Sequence, residues 1–323
     1  MSTRGNGVAE ARQNARKGNG ILTKKRVIIA ASSALALLLV ATGVWALLFY
    51  SRVTDNIKLD SDVLKSLESV LIERATPNEP FYVLLIGSDS RDTGNAGAGR
   101  SDTMMLVRTD PTNAQITILS IPRDTEIVYE SYGNIKINAA FAYDGPAGAV
   151  KAVNKLCDVQ IAHYAEIDFE GVISLVDILG GIDVNVPTDI SLDGITIYAG
   201  QQHLNGEQAL VMSRSRDYVD GDLTRVKNQQ LLVKAVAKKV LSAPPTQIPG
   251  MAEKLSSCIA TDMQLMDALD LINKLRGMNA DTMNTATVPT YFNNHDGISF
   301  LGVVEPDFSQ MMARIRAGEP PNI

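Results

Sequence analysis

Hydrophobic positions along the chain fall into three successive patterns, and each predicts a different kind of element. The first is a continuous run, Val27 to Tyr50 (VIIAASSALALLLVATGVWALLFY), with no charged residue in 24 positions. As a helix it extends about 36 Å, enough to cross a hydrocarbon core of about 30 Å with some tilt. A buried helix and a cleaved signal peptide are the competing readings. Tyr50-Ser51-Arg52 lacks the small residues of a cleavable end, which favours a retained signal-anchor. The second pattern is sparser: Leu59, Val63, Leu67, Val70 and Leu71 recur at roughly helical spacing up to Pro77-Asn78-Glu79-Pro80. It predicts a helical stalk over residues 51–76 and a boundary before residues 77–323.

The third pattern alternates strand and helix signals. Phe81 to Ile86 (FYVLLI), Thr103 to Arg108 (TMMLVR) and Gln115 to Ile121 (QITILSI) read as strands, with Ile182 to Val186 and Ile195 to Tyr198 as shorter ones. Gly145 to Cys157, Asp168 to Leu179, Asp222 to Leu241 and Asp262 to Gly277 read as helices. Such mixing predicts an α/β domain, an αβα sandwich with a central mixed sheet flanked by helices, behind one N-terminal transmembrane helix.

Charge orients this arrangement. Seven basic residues (Arg4, Arg12, Arg16, Lys17, Lys24, Lys25 and Arg26) precede the apolar run with only Glu10 against them, so residues 1–26 form a cytoplasmic arm and the domain faces outward. After Arg26 there remain 23 basic against 35 acidic groups, a formal charge of −12. Clustered arginines there are not the background of a basic protein, and the balance excludes general nucleic-acid binding. Of 323 residues 45% are hydrophobic and 20% charged, which suits one large globular domain with an appendage rather than a disordered or repeat-built chain. Cys157 and Cys258 fall in the outward part, where they form either a disulfide or two buried thiols, Cys157 lying on an apolar helical stripe with Val150 and Val153.

Candidate chemistry gathers at strand ends, where sites are built. The first strand runs into Gly87-Ser88-Asp89-Ser90-Arg91, and Arg100-Ser101-Asp102 opens the second. Asp89 and Asp102 could share a hard divalent cation with phosphate oxygens, or simply cap turns. Pro122-Arg123-Asp124-Thr125 follows the third strand, and Lys136 with Asn138 comes soon after. Arg214 and Arg216 in SRSRD can address one ligand only if the chain leaves helical geometry there; otherwise they are solvated surface groups. Asp222, Arg225 and Gln229, spaced i, i+3, i+7, share a stripe beside the apolar seam Leu223, Val226, Val233, Val236 and Val240. Asp222 at a helix start reads equally as a cap, though a helix start with an arginine one turn in also favours an anion. Two aspartates, several arginines and a lysine suit phosphoryl transfer, where catalysis is mostly positioning and charge neutralisation. His163, His203 and His295 are scattered and read as structural or surface residues, and neither a P-loop nor a dinucleotide fingerprint is present.

The ordered segments LLIGSDSR, GRSDTMML, SIPRDT, KINAA, LVDILGGIDVNVP, LNGEQAL, SRSRD and GDLTRVKNQQ resemble the LytR-CpsA-Psr family of cell-envelope phosphotransferases, closely from Phe81 to Leu241 and more loosely through Thr287-Val288-Pro289. The resemblance implies transfer of a glycopolymer with its linking phosphate from an undecaprenyl-pyrophosphate carrier to a peptidoglycan hydroxyl. The polymer is a teichoic acid, a capsule or a related polysaccharide. By the same resemblance Asp89 and Asp102 hold Mg²⁺ or Mn²⁺, Arg91, Arg100, Arg123, Arg214, Arg216 and Arg225 bind the pyrophosphate, and Lys136 and Gln229 support it. Arg123, Arg214, Asp222 and Arg225 are then the catalytic set, with Asp222, Asp124 or a metal-bound group open as the proton acceptor. Leu223 and Asn228 depart from the family pattern, where an aromatic and a basic residue are common, and predict altered packing or acceptor contacts. No extra C-terminal wall-binding module is expected. Val172 to Leu179 and Leu231 to Val240 supply material either for a lipid tunnel or for an ordinary core. A polyprenyl-pyrophosphate hydrolase would use the same residues with water as acceptor, and a non-catalytic envelope binding or regulatory protein is the third alternative.

Overall fold

Period-two alternation in the first strand sorts its side chains into two separate cores. Along β1 (Phe81–Ser88), Leu84 and Ile86 join one apolar cluster while Phe81 and Val83 join another. The computed structural model describes residues 59–88, 101–216, 222–295 and 297–322. The expected cytoplasmic arm and membrane span, and the candidates Asp89, Arg91 and Arg100, lie outside them. Among the described residues no helix is long and apolar enough to cross a membrane.

Helix α1 (Ser61–Glu68) leads into β1. Then come β2 (Ser101–Asp110), β3 (Gln115–Ser120), the hairpin β4 (Glu126–Tyr129) and β5 (Gly133–Lys136), helix α2 (Ile137–Cys157), β6 (Ile161–Ile167) and α3 (Phe169–Ile178). Short strands β7 (Ile182–Val186), β8 (Ile190–Leu192), β9 (Ile195–Ile197) and β10 (Gly200–Leu204) precede α4 (Gly206–Arg214) and the long α5 (Asp222–Ser242). The chain continues through α6 (Ile248–Leu255), β11 (Ala260–Thr261), α7 (Leu265–Leu275), β12 (Asn284–Thr287), the hairpin β13 (Thr290–His295) and β14 (Ile298–Val303), and α8 (Asp307–Ala317).

The central sheet is mixed, in the order β11-β6-β1-β2-β3-β12. β2 runs antiparallel to β1 and β3, while β6 and β12 run parallel to β1 and β3. One face carries Leu84, Leu106 and Leu119 against Phe141, Val150 and Val153 of α2 and Met312 and Ile315 of α8. The other carries Val83, Met105 and Ile118 toward Leu241 of α5 and Leu275 of α7. A further cluster joins α3, α4 and α5 to the β7 and β10 pair. The layers are those of the expected sandwich, each fully buried Leu or Ile contributing about 1.5–3 kcal/mol.

Several boundaries differ from the sequence reading. Of the residues expected to form a stalk, those described from Leu59 onward join the first core: Leu67 is fully buried, Leu59, Val63, Val70 and Leu71 pack beside it, and Ile72 donates its N–H to the Ile161 carbonyl. The helix expected from Gly145 is present as the second half of α2: non-helical backbone at Asp144 and at Gly145, φ +61°, with Pro146 lacking an N–H, separates it from a first half, from Ile137, that the pattern does not predict. Strands β6 and β12, the β13–β14 hairpin and helix α8 are elements beyond those that the hydrophobic pattern predicts. No disulfide forms. Cys157 and Cys258 are both free and buried, in different clusters, and burial pushes the Cys157 thiol up to about 12.

Candidate functional site

The turn after β3 is the centre of the site, and backbone bonds define it. Thr125 returns both its N–H and its hydroxyl to the Pro122 carbonyl, at 3.0 and 2.7 Å. Ile137 N–H donates to the Thr125 carbonyl at 2.8 Å and Asn138 N–H to that of Arg123 at 3.2 Å. The segments around Pro122 and Lys136 are therefore two sides of one braced turn, which leaves the side chains of Arg123 and Asp124 projecting from it.

From that turn a chain of charges extends. Arg123 Nη1 donates to Asp102 Oδ1 at the start of β2, and Arg216 Nη2 lies 3.9 Å from the same oxygen. Asp124 Oδ1 is 2.8 Å from Lys136 Nζ, and its other oxygen is 3.7 Å from Arg123 Nε, too far for a hydrogen bond. One turn into α5, Arg225 Nη2 sits 2.7 Å from Asp222 Oδ1. Arg214, the last residue of α4, pairs with Asp193 at 3.0 Å and lies over the Phe169 ring. Ser215 then takes an extended ψ of 134°, so Arg216 is carried back to the site as the sequence reading required. Gln229 Nε2 donates to the Ser213 carbonyl at 3.1 Å, fastening the end of α4 to α5.

The electrostatics suit an anion. Arg225 is 3% exposed, and burial, with Arg216 and Arg123 nearby, lowers its pKa despite Asp222. For Arg123 burial also acts downward, but the hydrogen bond and charge of Asp102, backed by Asp124 and Asp222, outweigh it and raise the pKa. Both guanidinium Nε atoms, of Arg123 and of Arg225, are buried without a hydrogen-bond partner. A buried donor left unmade costs about 1–3 kcal/mol, and phosphate oxygens would satisfy two such donors at once.

These charges adjoin a cavity of about 670 Å³. Leu175, Val176, Leu232, Val233 and Val236 wall it between α3 and α5, and Asp102, Arg214, Arg216, Arg225 and Gln229 line it as well. The two apolar stretches singled out in the sequence thus face each other across open space instead of packing solidly. Two close approaches shape this region: Gly206 meets the Ile173 backbone, where a Cβ would lie 2.3 Å from the carbonyl oxygen, and Gly181, at φ +82°, lies under His203. The LNGEQAL segment itself is a helix start, Asn205 and Gln208 forming a capping box.

Of the described candidates, Asp102, Arg123, Lys136, Arg216, Asp222 and Arg225 are linked through ion pairs and charge interactions, and Arg214 and Gln229 join them around the cavity. Leu223 is half exposed and Asn228 buried. Among the described residues no three His, Cys, Asp or Glu side chains cluster as metal ligands; Asp102 is an oxygen donor of the kind Mg²⁺ takes. Two buried polar residues were missed. Glu166, on the cavity wall, accepts from the Tyr164 hydroxyl at 2.8 Å, and Gln230 Nε2 bonds Ser120 Oγ and the Ala286 carbonyl, both at 2.8 Å. Glu166 sits in the mixed stretch IAHYAEI, and neither it nor Gln230, beside its motif neighbour Gln229, stands out in the sequence.

Fold and site together define one class of protein: an α/β domain whose sheet ends gather a cluster of arginines and aspartates beside an apolar cavity. The model of the LytR_cpsA_psr family matches residues 49–317, and the chain belongs to that family. Polyisoprenyl-teichoic acid–peptidoglycan teichoic acid transferase TagU of Enterococcus faecalis is 31% identical over 287 residues, covering 85% of this chain and 94% of its own. The TagU of Bacillus cereus is 35% identical over 221 residues, covering 67% and 72%. The crystal structure of B. subtilis TagV superposes with a TM-score of 0.68 at 28% identity, covering 74% of this chain and 97% of that one.

Proposed function

We propose that this protein transfers a glycopolymer, with its linking phosphate, from a polyprenyl-pyrophosphate carrier to a hydroxyl of peptidoglycan. A teichoic acid is the polymer that the named relatives favour. The observation that carries the reading is the pair of buried guanidinium Nε atoms, of Arg123 and Arg225, that lack a hydrogen-bond partner, with Arg225 lining an apolar cavity, which matches a pyrophosphate continued by an isoprenoid tail. Arg123, Arg214, Arg216 and Arg225, with Arg91 and Arg100 by family resemblance, hold the pyrophosphate, and Lys136 and Gln229 keep the surrounding turn and helix end in place. The acceptor oxygen attacks the glycan-bearing phosphorus and the bond to the bridging oxygen breaks. Polyprenyl phosphate leaves, and the acceptor proton passes to Asp222 or Asp124, or to a group that a bound metal would hold. Asp89 and Asp102 would hold Mg²⁺, or Mn²⁺ in its place, which neutralises charge on the pyrophosphate. The apolar run at residues 27–50 anchors the chain in the cell membrane with the domain outside, where lipid-linked donor and wall meet.

The test uses the full chain in detergent with polyprenyl-pyrophosphoryl glycan and peptidoglycan, following glycan joined to the wall. Magnesium-dependent product that disappears with Arg123→Ala is expected. Free phosphorylated glycan in the presence of acceptor would make the protein a hydrolase, and binding without turnover would make it a binding protein.

A further inference from the structure

The Asp124–Lys136 pair is the inner end of a longer polar row. β4 and β5 pair with Glu126 opposite Lys136 and Val128 opposite Asn134. β14 runs beside β4, joined by the isolated Thr125 and Leu301 bridge and by a 2.9 Å bond from Leu301 N–H to the Asp124 carbonyl, so the two-stranded β13–β14 and β4–β5 sheets abut in one layer. Because side chains alternate along strands, one face of this layer gathers Asp124, Lys136, Glu126, Asn293 and Tyr291. The contacts agree: Glu126 accepts from Asn293 Nδ2 at 2.6 Å and Asn134 Nδ2 at 2.9 Å, and lies 2.7 Å from His295 Nε2. The His295 ring stacks on Phe300 with 4.7 Å between centroids.

Tyr291 is paired with Gly302, and its ring lies across that glycine, so close that a Cβ there would come within 2.5 Å of it. The residue is nonetheless 52% exposed. An aromatic face held flat beside fixed amides and a carboxylate suits a pyranose ring, whose C–H face stacks and whose hydroxyls bond the rim. Glu126 uses three of its roughly four acceptor positions internally, so this rim is rigid before any sugar arrives.

Reaction geometry identifies which sugar. In-line displacement brings the acceptor oxygen from the side opposite the leaving oxygen, and the leaving polyprenyl phosphate belongs to the cavity. None of Asp124, Glu126, Lys136, Tyr291 and Asn293 lines that cavity. The chain Asp102, Arg123, Asp124, Lys136 leads from its rim to this face instead. We propose that the face formed by Tyr291, Asn293, Glu126 and Asn134 is the acceptor subsite and binds a sugar of the peptidoglycan glycan strand. The assignment rests on the transferase reading above.

The experiment measures binding of a peptide-free peptidoglycan tetrasaccharide to the full chain by calorimetry without donor, and then acceptor and donor KM during turnover. Tyr291→Ala is expected to weaken tetrasaccharide binding and raise acceptor KM by about tenfold, with donor KM at its wild-type value, while Tyr291→Phe keeps the wild-type values. Unchanged tetrasaccharide binding in Tyr291→Ala would overturn the proposal. A rise in donor KM alone would also overturn it, giving the face to the donor glycan. Tyr291-dependent sugar binding without any transfer would support the subsite while removing the transferase reading, and transfer indifferent to Tyr291 would do the reverse.

Discussion

Asp222 and Arg225 stand one turn apart on α5, 2.7 Å from carboxylate to guanidinium, and that pair holds the most buried cation of the described site beside the cavity. Asp222 answers one end of Arg225 and leaves its Nε unmade. Inorganic pyrophosphate should therefore bind and stabilise the fold, by about 2.7 kcal/mol at a hundredfold excess over its Kd. A rise in thermal midpoint with pyrophosphate, diminished by salt and abolished in Arg225→Ala, checks this; no rise at low salt contradicts it.

Open space between α3 and α5 makes a separate prediction about tail length. Val236→Trp fills the cavity without touching the arginines. Turnover of a long polyprenyl donor should fall at least about tenfold, as expected when a poorly fitting group loses about 1.4 kcal/mol or more of binding, while a donor with a two-isoprene tail reacts as before. Equal loss for both donors would show that the cavity does not hold the tail.

Much of this arrangement was legible in the sequence because the site is made of strand ends and one helix face. The strong apolar runs of β1, β2 and β3 located the strand start that carries Asp102 and the turn that carries Arg123, and the i, i+3, i+7 spacing placed Asp222, Arg225 and Gln229 on one side of α5. What escaped was set by tertiary pairing. β6 mixes Ala, His and Glu because its neighbours on both sides complete it, and the β13–β14 hairpin, with Tyr291 and His295, is polar on a face that only its contact with β4 makes meaningful. The distinction between tunnel and core for Val172 to Leu179 and Leu231 to Val240 had no signature at all, since both need the same side chains.

Gln230 offers a test of how the turn is held. Its amide ties α5 to Ser120, one residue before Ile121-Pro122-Arg123, and to the Ala286 carbonyl of β12. Gln230→Ala leaves those buried groups short of a donor and should cost about 1–3 kcal/mol in urea unfolding, with kcat falling more than donor KM rises. Wild-type stability would contradict it.

The cysteines make the domain's stability pH-dependent at the alkaline end. Cys157, pushed up to about 12 by burial, stays protonated in the fold after the unfolded thiol, near 9, has ionised. The folded chain then binds more protons, so this contribution is intact below about pH 9 and is lost as pH rises toward 12. Cys157→Ser should flatten that limb of the stability profile. Reductant should leave the thermal midpoint unchanged, and maleimide should label Cys157 only after denaturation.

Transfer of one particular phosphorus is the most direct test of the whole account. A donor labelled with ³²P only at the glycan-side phosphate is incubated with the full chain and peptidoglycan. The label should move into the wall together with the glycan, in wild type but not in Arg225→Ala, while a lipid-side label stays with polyprenyl phosphate. Glycan-side label recovered as free phosphoglycan, or glycan joined to the wall with no label, would contradict it.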